Sequence, residues 1–109
     1  MKKNYKSFKD IVFKPHPNYE GQHGLLFFPN GYGISVVRFK LPSPTSKDGF
    51  RYGSYTSNDS EYEVAVLKGD ENDWDLCYTT EIGDDVIGHQ IESEVDYIMY
   101  QIQELEPCL

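Results

Sequence analysis

The run from His23 to Phe39 constrains the fold of this chain most, because two alternating apolar segments meet there at Pro29-Asn30-Gly31. Asn-Gly tolerates the two positive φ angles of a type I′ turn, so the run reads as a β-hairpin with Asn30 and Gly31 at its tip. A two-residue loop fixes the register. Phe27 then opposes Ile34 and Leu25 opposes Val36 on the expected core face, while Leu26 opposes Ser35 and Phe28 opposes Gly33 on the other. That second face, with Leu26, Phe28, Val37 and Phe39, needs cover from a helix, a loop or a partner, which leaves room for a homodimer.

Period-two alternation predicts further strands over Ile11–Lys14, Phe50–Thr56, Tyr62–Leu67 and Trp74–Tyr78. Tyr62, Val64 and Val66 share one side of their strand; Trp74, Leu76 and Tyr78 share one side of theirs, with Cys77 opposite. The breaks are turn chemistry, Ser57-Asn58-Asp59-Ser60 and the polar run from Lys68 to Asp73. Short links require antiparallel neighbours, since parallel ones need crossovers of a dozen or more residues. The segment Leu41 to Gly49, with two prolines and several hydroxyls, is excluded from a sheet interior and reads as a long surface loop.

Near the C-terminus the period changes. Val95, Ile98, Met99, Ile102 and Leu105 lie on one helical face, Ser93 with Asp96 offers a weak capping box, and Pro107 stops the helix. Such a helix cannot bury its stripe alone, so it packs on the sheet. The expected fold is α+β, an antiparallel β-meander of about five or six strands packed by one C-terminal amphipathic helix. At 109 residues it is a single domain, with residues 1–8 as a solvated arm.

Charge is divided unevenly. Residues 1–58 hold nine Lys/Arg against three acids, whereas the remainder holds fifteen acids against Lys68 alone, for a net charge of -8. Both halves carry core-type patterning, so the acids must decorate a folded surface. No apolar stretch approaches the 18 or so residues of a membrane span, and the lysine-rich start has no apolar run behind it, so a cytoplasmic location is expected, with Cys77 and Cys108 as free thiols.

Lys2, Lys3, Lys6 and Lys9 with Tyr5 and Phe8 resemble a nucleic-acid arm in composition. The acidic half opposes that use, and direct nucleic-acid binding is not expected. His16, His23 and His89 lack the short paired spacing of a zinc site, and no Cys-x-x-Cys accompanies them, so neither metal nor cofactor is expected. The register sets His23 beside Arg38 as a polar rim. The loop from Glu81 to His89 gathers carboxylates, hydroxyls and an imidazole, and a minor reading makes it a hydrolase site through Asp85 and His89. Its simpler reading is a turn in which Asp84 or Asp85 bonds local amides. No nucleophile elbow, P-loop or dinucleotide fingerprint occurs.

Two binding sites remain. An acidic face of Glu61, Glu63, Asp73, Asp75, Asp84 and Asp85 suits the basic surface of a protein partner. Alternatively Tyr32, Tyr52, Tyr55 and Trp74 stack the base of a small nucleotide-like ligand whose phosphates Arg38, Lys40 or Arg51 hold.

The segments NGYGISVVRF, GSYTS, YEVAVL, WDLCYTT and DDVIG before the final helix resemble a family of small proteins encoded by tailed bacteriophages, over about residues 8 to 105. The loop Leu41 to Gly49 looks like an insertion in that pattern. The resemblance implies an accessory protein that acts in the host cytoplasm against host machinery or defence. It assigns no role to any residue.

Overall fold

In the computed structural model the residues described are 5–53, 56–58, 60–77, 82 and 86–107. Seven strands form one antiparallel sheet: β1 (Lys14–Pro15), β2 (Glu20–Phe27), β3 (Tyr32–Pro42), β4 (Phe50–Tyr52), β5 (Tyr62–Asp70), β6 (Asp73–Leu76) and β7 (Ile87–Gln90). The helix α1 (Glu92–Gln103) packs against one face, giving the α+β meander that the patterning implies. The order is β1-β2-β3-β5-β6, and two strands share edges already in use. β4 pairs with Lys40–Pro42 beyond the stretch of β3 that β5 takes, and β7 pairs with Tyr62–Val64 beyond the stretch of β5 that β6 takes.

The hairpin register differs by one from the expected one: Leu26 opposes Ile34, Phe27 opposes Gly33 and Gly24 opposes Val36. Pro29 is the cause. In a two-residue Asn30-Gly31 turn, Pro29 would flank the loop and pair with Tyr32, and it has no N–H to give that pair. Instead Phe28 N–H donates to Tyr32 O at 2.8 Å and Gly31 N–H to Phe28 O at 3.2 Å, with Gly31 at φ 88. This is a three-residue loop built on a type I turn with Pro29 at its favoured position and Gly31 as the left-handed bulge residue. Asn30 has another use, as its amide donates to the carbonyls of Ile102 at 2.9 Å and Leu105 at 3.3 Å. The hairpin tip thereby caps the C-terminal end of α1.

The shift turns β2 over. Leu26 and Phe28 now join Ile34, Val36, Tyr62, Val64 and Val66 under the helix, while Leu25 and Phe27 lie on the uncovered face. From α1 come Val95, Ile98, Met99 and Ile102, all buried, with Leu105 partly buried beside them. Cys77 is buried in this cluster as a free thiol, whereas Trp74 on the opposite side of its strand is exposed. On the uncovered face the ring of Phe27 lies over Gly33, and Leu67, Gly33's other neighbour, is buried outside the main cluster.

The ends of the chain differ from expectation in detail. Residues 5–8, read as a solvated arm, lie along α1: Lys6 N–H donates to Gln103 Oε1, and Gln103 Nε2 donates back to Lys6 O, both at 2.8 Å. Tyr5 bonds Glu104 through its hydroxyl, and Phe8 N–H donates to Asp96 Oδ1 at 2.6 Å. Asp96 is therefore used by the N-terminal segment and not by a box with Ser93. The helix begins two residues earlier than such a box requires, with Ile91 N–H donating to Glu94 Oε1 at 3.0 Å. Among the described residues no helix is long and apolar enough to cross a membrane.

Candidate functional site

Four of the six proposed acidic residues are described, and they fall at opposite ends of β5; Asp84 and Asp85 lie outside the described residues. Glu61 and Glu63 stand at its start, while Asp75 pairs with Lys68 and Asp73 with Asp70 near its end. At about 3.3 Å per residue the two groups are roughly 20 Å apart, more than twice the Debye length of about 8 Å at physiological salt. They form two separate groups of charge.

The far group is a finger formed by the β5–β6 hairpin. Asp70 Oδ1 accepts N–H bonds from Asn72 at 2.9 Å and Asp73 at 3.1 Å, an Asx turn that sets the tip. Gly69 bends the chain at φ 117, where a Cβ would lie 2.2 Å from Asp73 O, and its N–H donates to Gly31 O at 2.8 Å. The finger is thus anchored to the β2–β3 turn. Asp70, Glu71, Asp73 and Asp75 are all exposed, and Trp74 between the last two is 42% exposed. A shallow concavity at its base is lined by Phe28, Pro29, Lys68, Trp74 and Asp75 among others.

The near group is bound up with a bulge. Between the pairs Tyr62–Gln90 and Val64–Ile87 the ladder slips, so Gly88 and His89 together oppose Glu63. His89 adopts φ 56, a left-handed conformation that histidine tolerates better than most residues. Its Nδ1 lies 2.9 Å from Glu61 Oε1 and 3.2 Å from Ser57 Oγ, and Ser57 N–H donates to the same Glu61 oxygen at 2.8 Å. The His89 bond, followed by the Ser57 N–H, holds the Glu61 carboxyl below its usual range. A Ser-His-acid relay needs the hydroxyl and the carboxylate on different ring nitrogens, and here both meet Nδ1. The trio pins the bulge. Asp85, the other residue of the hydrolase reading, lies outside the described residues.

Because the folded-state pKa of Glu61 is depressed, its stabilising contribution is complete above the ordinary carboxylate range and is lost as pH falls through the lowered value. Urea midpoints of the wild type and Glu61→Gln should therefore differ at neutral pH and converge on acidification. A gap that is constant with pH would detach this carboxylate from the bulge.

The residues expected to hold a nucleotide-like ligand divide as well. Arg38, Lys40 and Tyr52 converge on a cavity of about 370 Å³, also lined by Glu20, Gln22 and Asn58. Arg51 alternates to the opposite face of β4 from Tyr52, Tyr32 packs against the core cluster, Trp74 is on the finger, and Tyr55 lies outside the described residues. Arg38 Nη2 donates to Gln22 Oε1 at 3.3 Å, and its guanidinium sits 5.1 Å from the centre of the Tyr62 ring. Lys40 Nζ is 4.3 Å from the centre of the Phe50 ring and 3.7 Å from Glu20. The Tyr52 hydroxyl donates to Asp48 Oδ2 at 2.6 Å, and this bond, with the Phe50 N–H, lowers the Asp48 pKa.

Set against protein-family models, curated proteins and solved structures, the chain matches none. Sequence reasoning missed Glu20, Gln22, Asn58, Asp48 and the Ser57–Glu61–His89 trio. The register would have revealed the first two: pairing sets Gln22 against Arg38 and Glu20 against Lys40, where the expected register set His23 against Arg38. Among the described residues no group of three His, Cys, Asp or Glu side chains is placed to hold a metal ion.

Proposed function

We propose that this protein is a non-enzymatic binding module that presents the β5–β6 finger to the basic surface of a protein partner. In the phage setting that the sequence resembles, the partner is a host factor such as a defence component or a nucleic-acid enzyme. The observation that carries the reading is Trp74, an exposed indole held on a hairpin where four carboxylates, Asp70, Glu71, Asp73 and Asp75, are exposed beside Lys68 and Asn72. Tryptophan is enriched among the few residues that supply most of the binding energy at protein interfaces, because a rigid ring buries a large area at little entropic cost. Surrounding carboxylates add little affinity of their own. They accelerate encounter with a positive surface and reject negative ones.

This reading places docking on Asp73 and Asp75, with Asp70 and Glu71, and leaves Glu61 and Glu63 to the bulge. Wild-type protein immobilised at low salt should capture a basic host protein and release it as salt rises. The triple variant Glu71→Lys, Asp73→Lys, Asp75→Lys should lose that capture, whereas Glu63→Lys should keep it. Equal capture by the wild type and the triple variant would refute the assignment.

A further inference from the structure

We infer that the cavity at the open end of the helix-bearing face is a binding site for a small phosphomonoester, a nucleoside monophosphate in chemical class. Beyond the apolar stretch that α1 covers, the same face of β2, β3 and β4 turns polar. Gln22 stands beside Arg38, Glu20 beside Lys40 and Lys40 beside Tyr52. The cavity these residues line, about 370 Å³, falls in the range of small-ligand sites.

Its chemistry points to an anion with a planar group attached. Arg38 and Lys40, two residues apart on one strand face, leave the backbone roughly 7 Å apart along the strand. Aromatic faces fix both heads, Tyr62 under the guanidinium and Phe50 under the ammonium. A guanidinium presents a fork that matches phosphate oxygens, and an ammonium adds a point charge. Tyr52 is pinned by its hydroxyl to Asp48, so its ring forms a fixed wall on which a base can stack. The Gln22 and Asn58 amides can both donate and accept, which suits base edges or ribose hydroxyls.

Among the described lining residues Glu20 is the one carboxylate. It is 67% exposed and faces Lys40 across 3.7 Å, while Lys40 itself is only 19% exposed. An exposed rim carboxylate over a sheltered ammonium acts as an internal competitor that an incoming phosphate displaces. Removing its charge should therefore tighten binding, a sign that a merely structural ion pair would not give.

The site is independent of the finger, and titration calorimetry at low salt with AMP, adenosine and inorganic phosphate tests it. AMP should bind saturably and more tightly than either fragment. Lys40→Gln should weaken AMP by about tenfold or more, the loss expected for a charge-assisted bond. Glu20→Gln should strengthen it severalfold, and this variant keeps the assay informative if Lys40→Gln proves poorly folded. No saturable AMP binding by the wild type or Glu20→Gln would overturn the assignment. Adenosine or phosphate binding as tightly as AMP, or weaker binding by Glu20→Gln, would do the same.

Discussion

Replacing Ile102 by alanine should destabilise the protein by about 2–5 kcal/mol, the usual cost of emptying a sealed core position. Ile102 has no exposed surface and lies among the buried residues where the α1 stripe meets the sheet. A domain of this size is held by about 5–15 kcal/mol in all, so the variant forfeits a large share of its stability. The carbonyl of the same residue accepts the Asn30 amide, a backbone acceptor that the substitution leaves in place. The loss therefore reports packing and not the cap. Leu25→Ala is the control, because Leu25 is 37% exposed on the face that α1 does not cover and should cost under about 1 kcal/mol. Urea unfolding measures both. If Leu25→Ala were the more damaging of the two, the register would be the one expected from Asn-Gly alone, with the other face of β2 turned to α1.

That register shows how far sequence reasoning reaches. Ile34, Val36, Val64 and Val66 are identifiable as core because they recur at every second position of β3 and β5, Ile34 with Val36 and Val64 with Val66. The same holds for Val95, Ile98, Met99 and Ile102, whose spacing is helical and nothing else. β2 faces the other way from the expectation because Asn30-Gly31 and Pro29-Asn30-Gly31 ask for loops of different length, and a shift of one residue exchanges every side chain between faces. β7 is not legible as a strand: it is four residues long, contains Gly88, and is bulged at His89, so alternation fails where the ladder slips. The expected strand over Ile11–Lys14 shrinks to Lys14–Pro15 because Ile11 turns inward to the core. The candidate sites inherit these limits. Arg38, Lys40 and Tyr52 were identifiable by chemistry, but their partners Gln22 and Glu20 depend on the register, and Asp48 on the loop after β3. The acidic residues were visible as a composition, yet only the turn at Gly69 and Asp70 gathers one set of them around Trp74.

Trp74→Ala should weaken partner binding by at least about 2 kcal/mol, or roughly 30-fold, while leaving the unfolding midpoint nearly unchanged. The two effects separate because Trp74 stands across from Gly69, which has no side chain to pack against it, and keeps much of its surface in solvent. An indole that belonged to the fold would be expected to lie with Cys77 in the core. The ring offers apolar area that becomes valuable only when another surface covers it. Charge should behave differently. Adding salt slows association by screening the four carboxylates of the finger, whereas loss of the ring leaves encounter intact and speeds dissociation. Surface plasmon resonance on the captured host protein resolves the two rates. A Trp74→Ala variant that associated slowly but dissociated at the wild-type rate would show that the ring orders the finger instead of filling a pocket on the partner, and the anchor would have to be sought elsewhere on the hairpin.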